Sequence, residues 1–168
     1  MRKNTRYIVH CAMIAALYTV LTHMQNLLIP GSATWAIQFR ISEAMCVLAF
    51  FTPAAIPGLT LGTLLFNLTF AQALPLDFLL GSLATLLATV CMHKSRNLTW
   101  KGYPLFGLLM PGLFNALIVG WELSIYIGGG FWFNAATVAI GEVTVLLSLG
   151  TALYYALRIR GLDKKLFG

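Results

Sequence analysis

Glu43, Asp77, Glu122 and Glu142 are four of the five acidic residues of this chain, and each stands in or at the edge of an apolar run, as does Arg40. A carboxylate among aliphatic side chains can accept the paired N–H groups of a heterocycle, hold an amine or carry a proton. Arg40 and Glu43 are three residues apart, so they can pair on one helix face, which neutralises both and leaves a ligand role open. Glu122 and Glu142 have no Lys or Arg nearby in sequence. Unless Arg40 meets one of them in space, each must be protonated, hydrated or neutralised by something bound. The chemistry this suggests is capture of a solute.

Neutral polar groups share the same half of the apolar runs: His23, Gln25, Asn26, Asn67, Asn115 and Asn134. Trp35, Trp121 and Trp132 lie there too, placed either to stack a flat ring or to form an interfacial aromatic belt. Trp121 follows Gly120 and precedes Glu122, but neighbours on a helix point about 100° apart, so only one of the two need face a cavity. Asp77 follows Pro75-Leu76 and reads as a helix N-cap. No clustered nucleophile and base is found, which argues against an enzyme. His10, His23 and His93 have no ligand spacing, so no metal is expected, and Gly128-Gly129-Gly130 lacks the Lys and Ser/Thr of a phosphate loop and reads as a flexible connection. No cofactor is implied. Cys11, Cys46 and Cys91 are scattered in apolar runs and read as buried free thiols.

These residues need a frame, and composition supplies it. Of 168 residues, 59% are apolar and 10% charged, whereas soluble domains carry about 25% charged residues. The fold class expected is all-α: one integral membrane domain over 1–168, a bundle of six transmembrane helices at about 7–29, 34–51, 54–73, 77–93, 104–127 and 131–159. The first run exceeds a signal peptide's apolar core and lacks a cleavage site after it. The second is the short one, with about eleven uninterrupted apolar residues after Glu43, against the ~20 that a spanning helix needs.

Charge decides that case. Arg2, Lys3 and Arg6, then Lys94, Arg96 and Lys101, then Arg158, Arg160, Lys164 and Lys165 form three blocks, and Lys and Arg collect on the cytoplasmic side. All three share that side only if 34–51 crosses, which puts both termini in the cytoplasm. The net charge of +6 is therefore topological and does not point to nucleic acid. Arg40 is the one basic residue left near the outer face.

Small residues at Ala12/Ala16 and Gly58/Gly62 have the spacing of close-packed membrane helices. The Ala12/Ala16 face could equally dock a different membrane protein. Three functions are compatible so far: a solute-capturing subunit served by a separate motor, an autonomous proton-coupled small-solute transporter using Glu122 or Glu142, or an intramembrane enzyme. The half of the bundle without polar residues offers no proton path, and no reactive cluster exists, so the first fits best.

IQFRISEAM at 37–45, FNALIVGWELS at 114–124 and AIGEVTVL at 139–146 resemble the QueT family, substrate-binding S components of energy-coupling factor transporters for queuosine precursors. The resemblance runs from about residue 8 to 160. It implies a multi-pass protein of a prokaryotic plasma membrane, surrounded by lipid, that joins a membrane-embedded T component through Ala12/Ala16 and works with two cytoplasmic ATPases. It implies that the S component topples in the membrane to deliver queuine or its 7-cyano or 7-aminomethyl 7-deazaguanine precursors; an S component for another vitamin is the alternative. On this reading Glu122 and Glu142 bind the solute with Asn115, Arg40, Glu43, Asn67, Trp121 and Trp132 around them, and Arg40 serves chiefly as counter-ion to an acidic pocket.

Overall fold

The computed structural model describes residues 3–32, 39–70 and 73–167. Trp35 and the first part of the expected second span, 34–38, lie outside the described residues. The described chain is helical throughout: α1 (Lys3–Leu28), a 3-10 helix (Ile41–Phe50), α2 (Ala55–Thr69), α3 (Asp77–Lys94), α4 (Leu105–Leu108), α5 (Met110–Tyr126), α6 (Phe131–Val145), a π-helical turn (Leu146–Gly150), α7 (Thr151–Ile159) and α8 (Leu162–Phe167). Among the described residues, three continuous helical stretches are long and apolar enough to cross a membrane: Lys3–Leu28, Leu105–Tyr126 and Phe131–Ile159.

The distribution of polarity is inverted relative to a water-soluble protein. Leu27, Ile159 and Phe133 are 81%, 79% and 66% exposed, while Glu43, Glu122, Thr63 and Thr89 are fully buried. Such a surface is stable only in contact with hydrocarbon, where polar groups must turn inward. The protein is a multi-pass membrane protein.

Packing runs α1 on α2, α2 on α3, α3 on α5 and α5 on α6, and the 3-10 helix touches α1, α2, α3, α6 and α7 from the centre. Its Met45, Cys46, Val47, Ala49 and Phe50 form the core with Tyr18, Leu59, Met92, Leu108, Leu146 and Tyr154. The 3-10 form lengthens this segment, which stays among the shorter apolar helices. Ten residues rise ~20 Å at ~2.0 Å each, against ~15 Å as α-helix. Arg40 itself stands before the helix in an extended conformation, φ −81° and ψ 97°, and not inside a helix as its spacing from Glu43 suggests.

Small residues set the close approaches. A Cβ added at Gly58 or Gly62 would lie 2.9 Å from Cys11 O or 2.8 Å from Tyr18 Cβ, so this pair packs α2 against α1 and Thr19 can donate to Gly62 O at 3.1 Å. Ala12 and Ala16 lie on the opposite, exposed face of α1. On α5, an added Cβ would lie 2.8 Å from Val143 Cγ2 at Gly112 and 2.7 Å from Ala135 Cα at Gly120. Gly120→Val is expected to lower the melting temperature in detergent by several degrees, because the obstacle is backbone. Gly130→Ala, whose added Cβ meets nothing within 4 Å, is the matched control and should leave it unchanged.

The basic residues gather at one end. Lys3, Arg6, His10 and Phe167 line one cavity of about 320 Å³ with Thr52–Ala54, Arg6 donates to Leu166 O, and Arg96 bonds His93, which in turn bonds Ala49 O at 2.7 Å. Gly128 and Gly129 close the opposite end with φ of 86° and 77°, a region that disfavours residues with a Cβ. Asn134 Nδ2 donates to Gly128 O at 2.9 Å, so this connection is a defined turn and more than a flexible tether. Cys11, Cys46 and Cys91 are free, with only Cys46 fully buried; the other two sit on the half-exposed flanks of α1 and α3.

Candidate functional site

The inner face of α1 presents Tyr18, Thr22 and Gln25, residues at i, i+4 and i+7 that share one stripe. That stripe clamps residues 39–43. Gln25 Nε2 donates to Phe39 O at 2.5 Å and to Ser32 Oγ at 2.9 Å, while its Oε1 accepts from Ile41 N at 2.8 Å. Thr22 Oγ1 donates to Ser42 Oγ at 2.6 Å. The clamp fixes Arg40 at the mouth of the 3-10 helix and Glu43 in its first turn.

Glu43 is a saturated acceptor. Tyr18 Oη donates to one carboxylate oxygen and Cys46 Sγ to the other at 3.1 Å, and Arg40 Nη1 lies 3.9 Å away. Arg40 is buried over the Phe66 ring, its Cζ 5.7 Å from the ring centroid, and it lies within electrostatic reach of Glu142 as well. It is therefore shared between two carboxylates on different elements.

Glu142 and Glu122 are the opposite case. Each is at most 1% exposed, and none of their four carboxylate oxygens has a well-formed hydrogen bond among the described residues. Asn115 lies beside Glu142, and Asp77 beside Glu122, close enough to interact without an aligned bond. A buried carboxylate in this condition costs several kcal/mol until a donor arrives. The helix register places the two apart. Gly112 faces Val143 and Gly120 faces Ala135, so Glu142 is level with about residue 113 of α5, nine residues or ~14 Å along the axis from Glu122.

Asn67, at the end of α2, gives its Nδ2 to Asp77 O at 2.7 Å. Gly81 is what lets it in, since an added Cβ there would lie 2.8 Å from that nitrogen. Asp77 is the first residue of α3, whose N-cap is Leu76, so it is not the cap its sequence position suggests. Its Oδ2 reaches back to Leu74 N at 3.0 Å.

Trp121 and Trp132 are 49% and 78% exposed on the outer surface; the structure brings neither into contact with the carboxylates. Glu122 takes the inward direction and Trp121 the outward one, as adjacent helical positions must. The residues that organise the site and were not singled out from sequence are Tyr18, Thr22 and Ser42. For Tyr18 and Thr22 the signal was present in the four-residue spacing of Tyr18, Thr22 and Asn26 along α1.

No solved structure matches the chain. A curated relative, the queuosine precursor transporter QueT of Lactococcus lactis subsp. cremoris (strain MG1363), is 36% identical over 155 residues, which cover 87% of this chain and 89% of the relative. The family model described as QueT transporter matches residues 8–159, a span that takes in the clamp, Arg40, Glu43 and both unpartnered glutamates. With its site spread over nearly every helix that this match covers, the chain belongs to the QueT transporter family.

Proposed function

We propose that this protein captures a queuosine precursor, queuine or a related 7-deazaguanine, and acts as the S component of an energy-coupling factor importer. The observation that carries the reading is the pair of fully buried, unpartnered carboxylates at Glu122 and Glu142, together with the relative's substrate. A guanine-like edge offers an N–H and an amino group side by side, and one carboxylate accepts both. Such a carboxylate rejects bases that lack the donors, because it would stay desolvated and unpaired. Asn115 beside it can donate to the carbonyl of the same edge. The ~14 Å axial separation is comparable to the length of a ring with its substituent, so one solute can address both carboxylates. Arg40, Glu43 and Asn67 hold the surrounding frame. Trp121 and Trp132 would reach a solute only through a change in their present outward orientation.

Six crossings with both termini cytoplasmic remain the best account of the topology. The stretched 3-10 helix and the gathering of Lys and Arg at one end of the bundle support it. The exposed Ala12/Ala16 face on α1 suits a close-packed T component, with two cytoplasmic ATPases driving a toppling of the whole bundle.

The test is reconstitution. The chain alone in liposomes should bind queuine without ATP-driven uptake, and uptake should appear once the T component and ATPases are added. Proton-driven accumulation by the chain alone would replace this reading with an autonomous transporter. Ala16→Trp is expected to reduce co-purification of the T component at least tenfold and leave queuine affinity within twofold, measured by pull-down and calorimetry.

A further inference from the structure

We propose that Asp77 and Glu122 form a two-carboxylate subsite for an ammonium group on the solute, leaving Glu142 and Asn115 to hold the uncharged heterocycle edge. The inference rests on the proposed function and divides its site by charge.

The two unpartnered glutamates have different electrostatic company. Glu142 has Asn115 beside it and Arg40, which it shares with Glu43, within reach, so a cation already stands in its neighbourhood and what it still needs is hydrogen-bond donors. Neutral N–H groups satisfy that need. Glu122 has Asp77 as its charged neighbour among the described residues. Two carboxylates side by side in a buried site repel, and a cation between them relieves the repulsion and the desolvation together.

The geometry holds the pair in place. Leu74 packs on Val119, Leu123 and Val138, which seats the Leu74–Asp77 turn against the face of α5 on either side of Glu122. Leu74 N to Asp77 Oδ2 and Asn67 Nδ2 to Asp77 O lock that turn at 3.0 and 2.7 Å. Asp77 is half-buried and Glu122 fully buried, so an ammonium group can pass from the first to the second on entry.

The experiment is calorimetric titration of the purified chain with queuine, 7-aminomethyl-7-deazaguanine and 7-cyano-7-deazaguanine, the last having no amine. The wild type should bind the two amines at least tenfold tighter than the cyano compound. Glu122→Gln should abolish that preference by lowering the affinity for the two amines at least tenfold more than the affinity for the cyano compound, and Asp77→Asn should reduce the preference at least threefold. Melting temperature certifies each fold; if Glu122→Gln does not fold, the half-buried Asp77→Asn carries the test. Equal losses for all three ligands, or a wild type without amine preference, would overturn the subsite alone. A wild type that binds none of the three would overturn the proposed function with it.

Discussion

Glu142→Gln is expected to lower affinity for queuine at least tenfold, about 1.4 kcal/mol, with no loss of melting temperature in detergent. The substitution keeps the shape of the side chain and removes its charge. Glu142 is 1% exposed and its carboxylate oxygens have no well-formed bond among the described residues, so the ligand-free protein loses no well-formed hydrogen bond, keeps Glu43 as the carboxylate paired with Arg40, and escapes the desolvation of a buried anion. The bound state loses twice. One acceptor remains where two are needed, and the new amide N–H₂ points at the donors of the heterocycle edge, leaving buried donors unpaired at about 1–3 kcal/mol each. Calorimetry and thermal unfolding on the same preparation separate the two effects. A fall in melting temperature with affinity intact would make Glu142 a structural residue.

Arg40→Ala is expected to do the reverse and damage the fold first. Arg40 stands 3.9 Å from Glu43, lies over Phe66 and reaches Glu142. Removing one partner of a buried charge pair typically costs about 3–5 kcal/mol, because the other stays charged in a dry site. The yield of inserted, monodisperse protein should drop sharply and its melting temperature with it. The double variant Arg40→Ala with Glu43→Gln should recover part of the loss, since the uncompensated charge is gone and the amide oxygen still accepts from one of the two donors, Tyr18 or Cys46. A well-folded Arg40→Ala protein with only a binding defect would move Arg40 from counter-ion to ligand contact.

The reach of the sequence can be judged from these same residues. Apolar runs and Gly/Pro punctuation locate most of the described helices to within a few residues, Ile41–Phe50 against an expected 34–51 being the exception, because hydrocarbon tolerates little else on an exposed helix. Burial of Glu122 and Glu142 follows from the same physics: a carboxylate facing lipid is too unfavourable to persist. What the sequence does not carry is three-dimensional company. That Glu43 is saturated by Tyr18 and Cys46 while Glu142 is not depends on how α1 and α6 pack around the 3-10 helix, and charge counting sees the two glutamates alike. The 3-10 form of Ile41–Phe50 was hidden for a related reason: composition specifies an apolar helical segment, and an α-helix and a 3-10 helix can share that composition. The outward turn of Trp121 and Trp132 reflects the aromatic-belt preference winning over a stacking role that their positions alone leave open.

The central claim is that the buried carboxylates hold a 7-deazaguanine, and its most direct test is titration of the purified, ligand-free chain with queuine, with thiamine and riboflavin as controls. Saturable one-to-one binding of queuine that Glu142→Gln weakens at least tenfold, with no heat from either vitamin, is the predicted result. Binding of a vitamin in place of queuine, or queuine binding that neither Glu122→Gln nor Glu142→Gln weakens, would contradict the account.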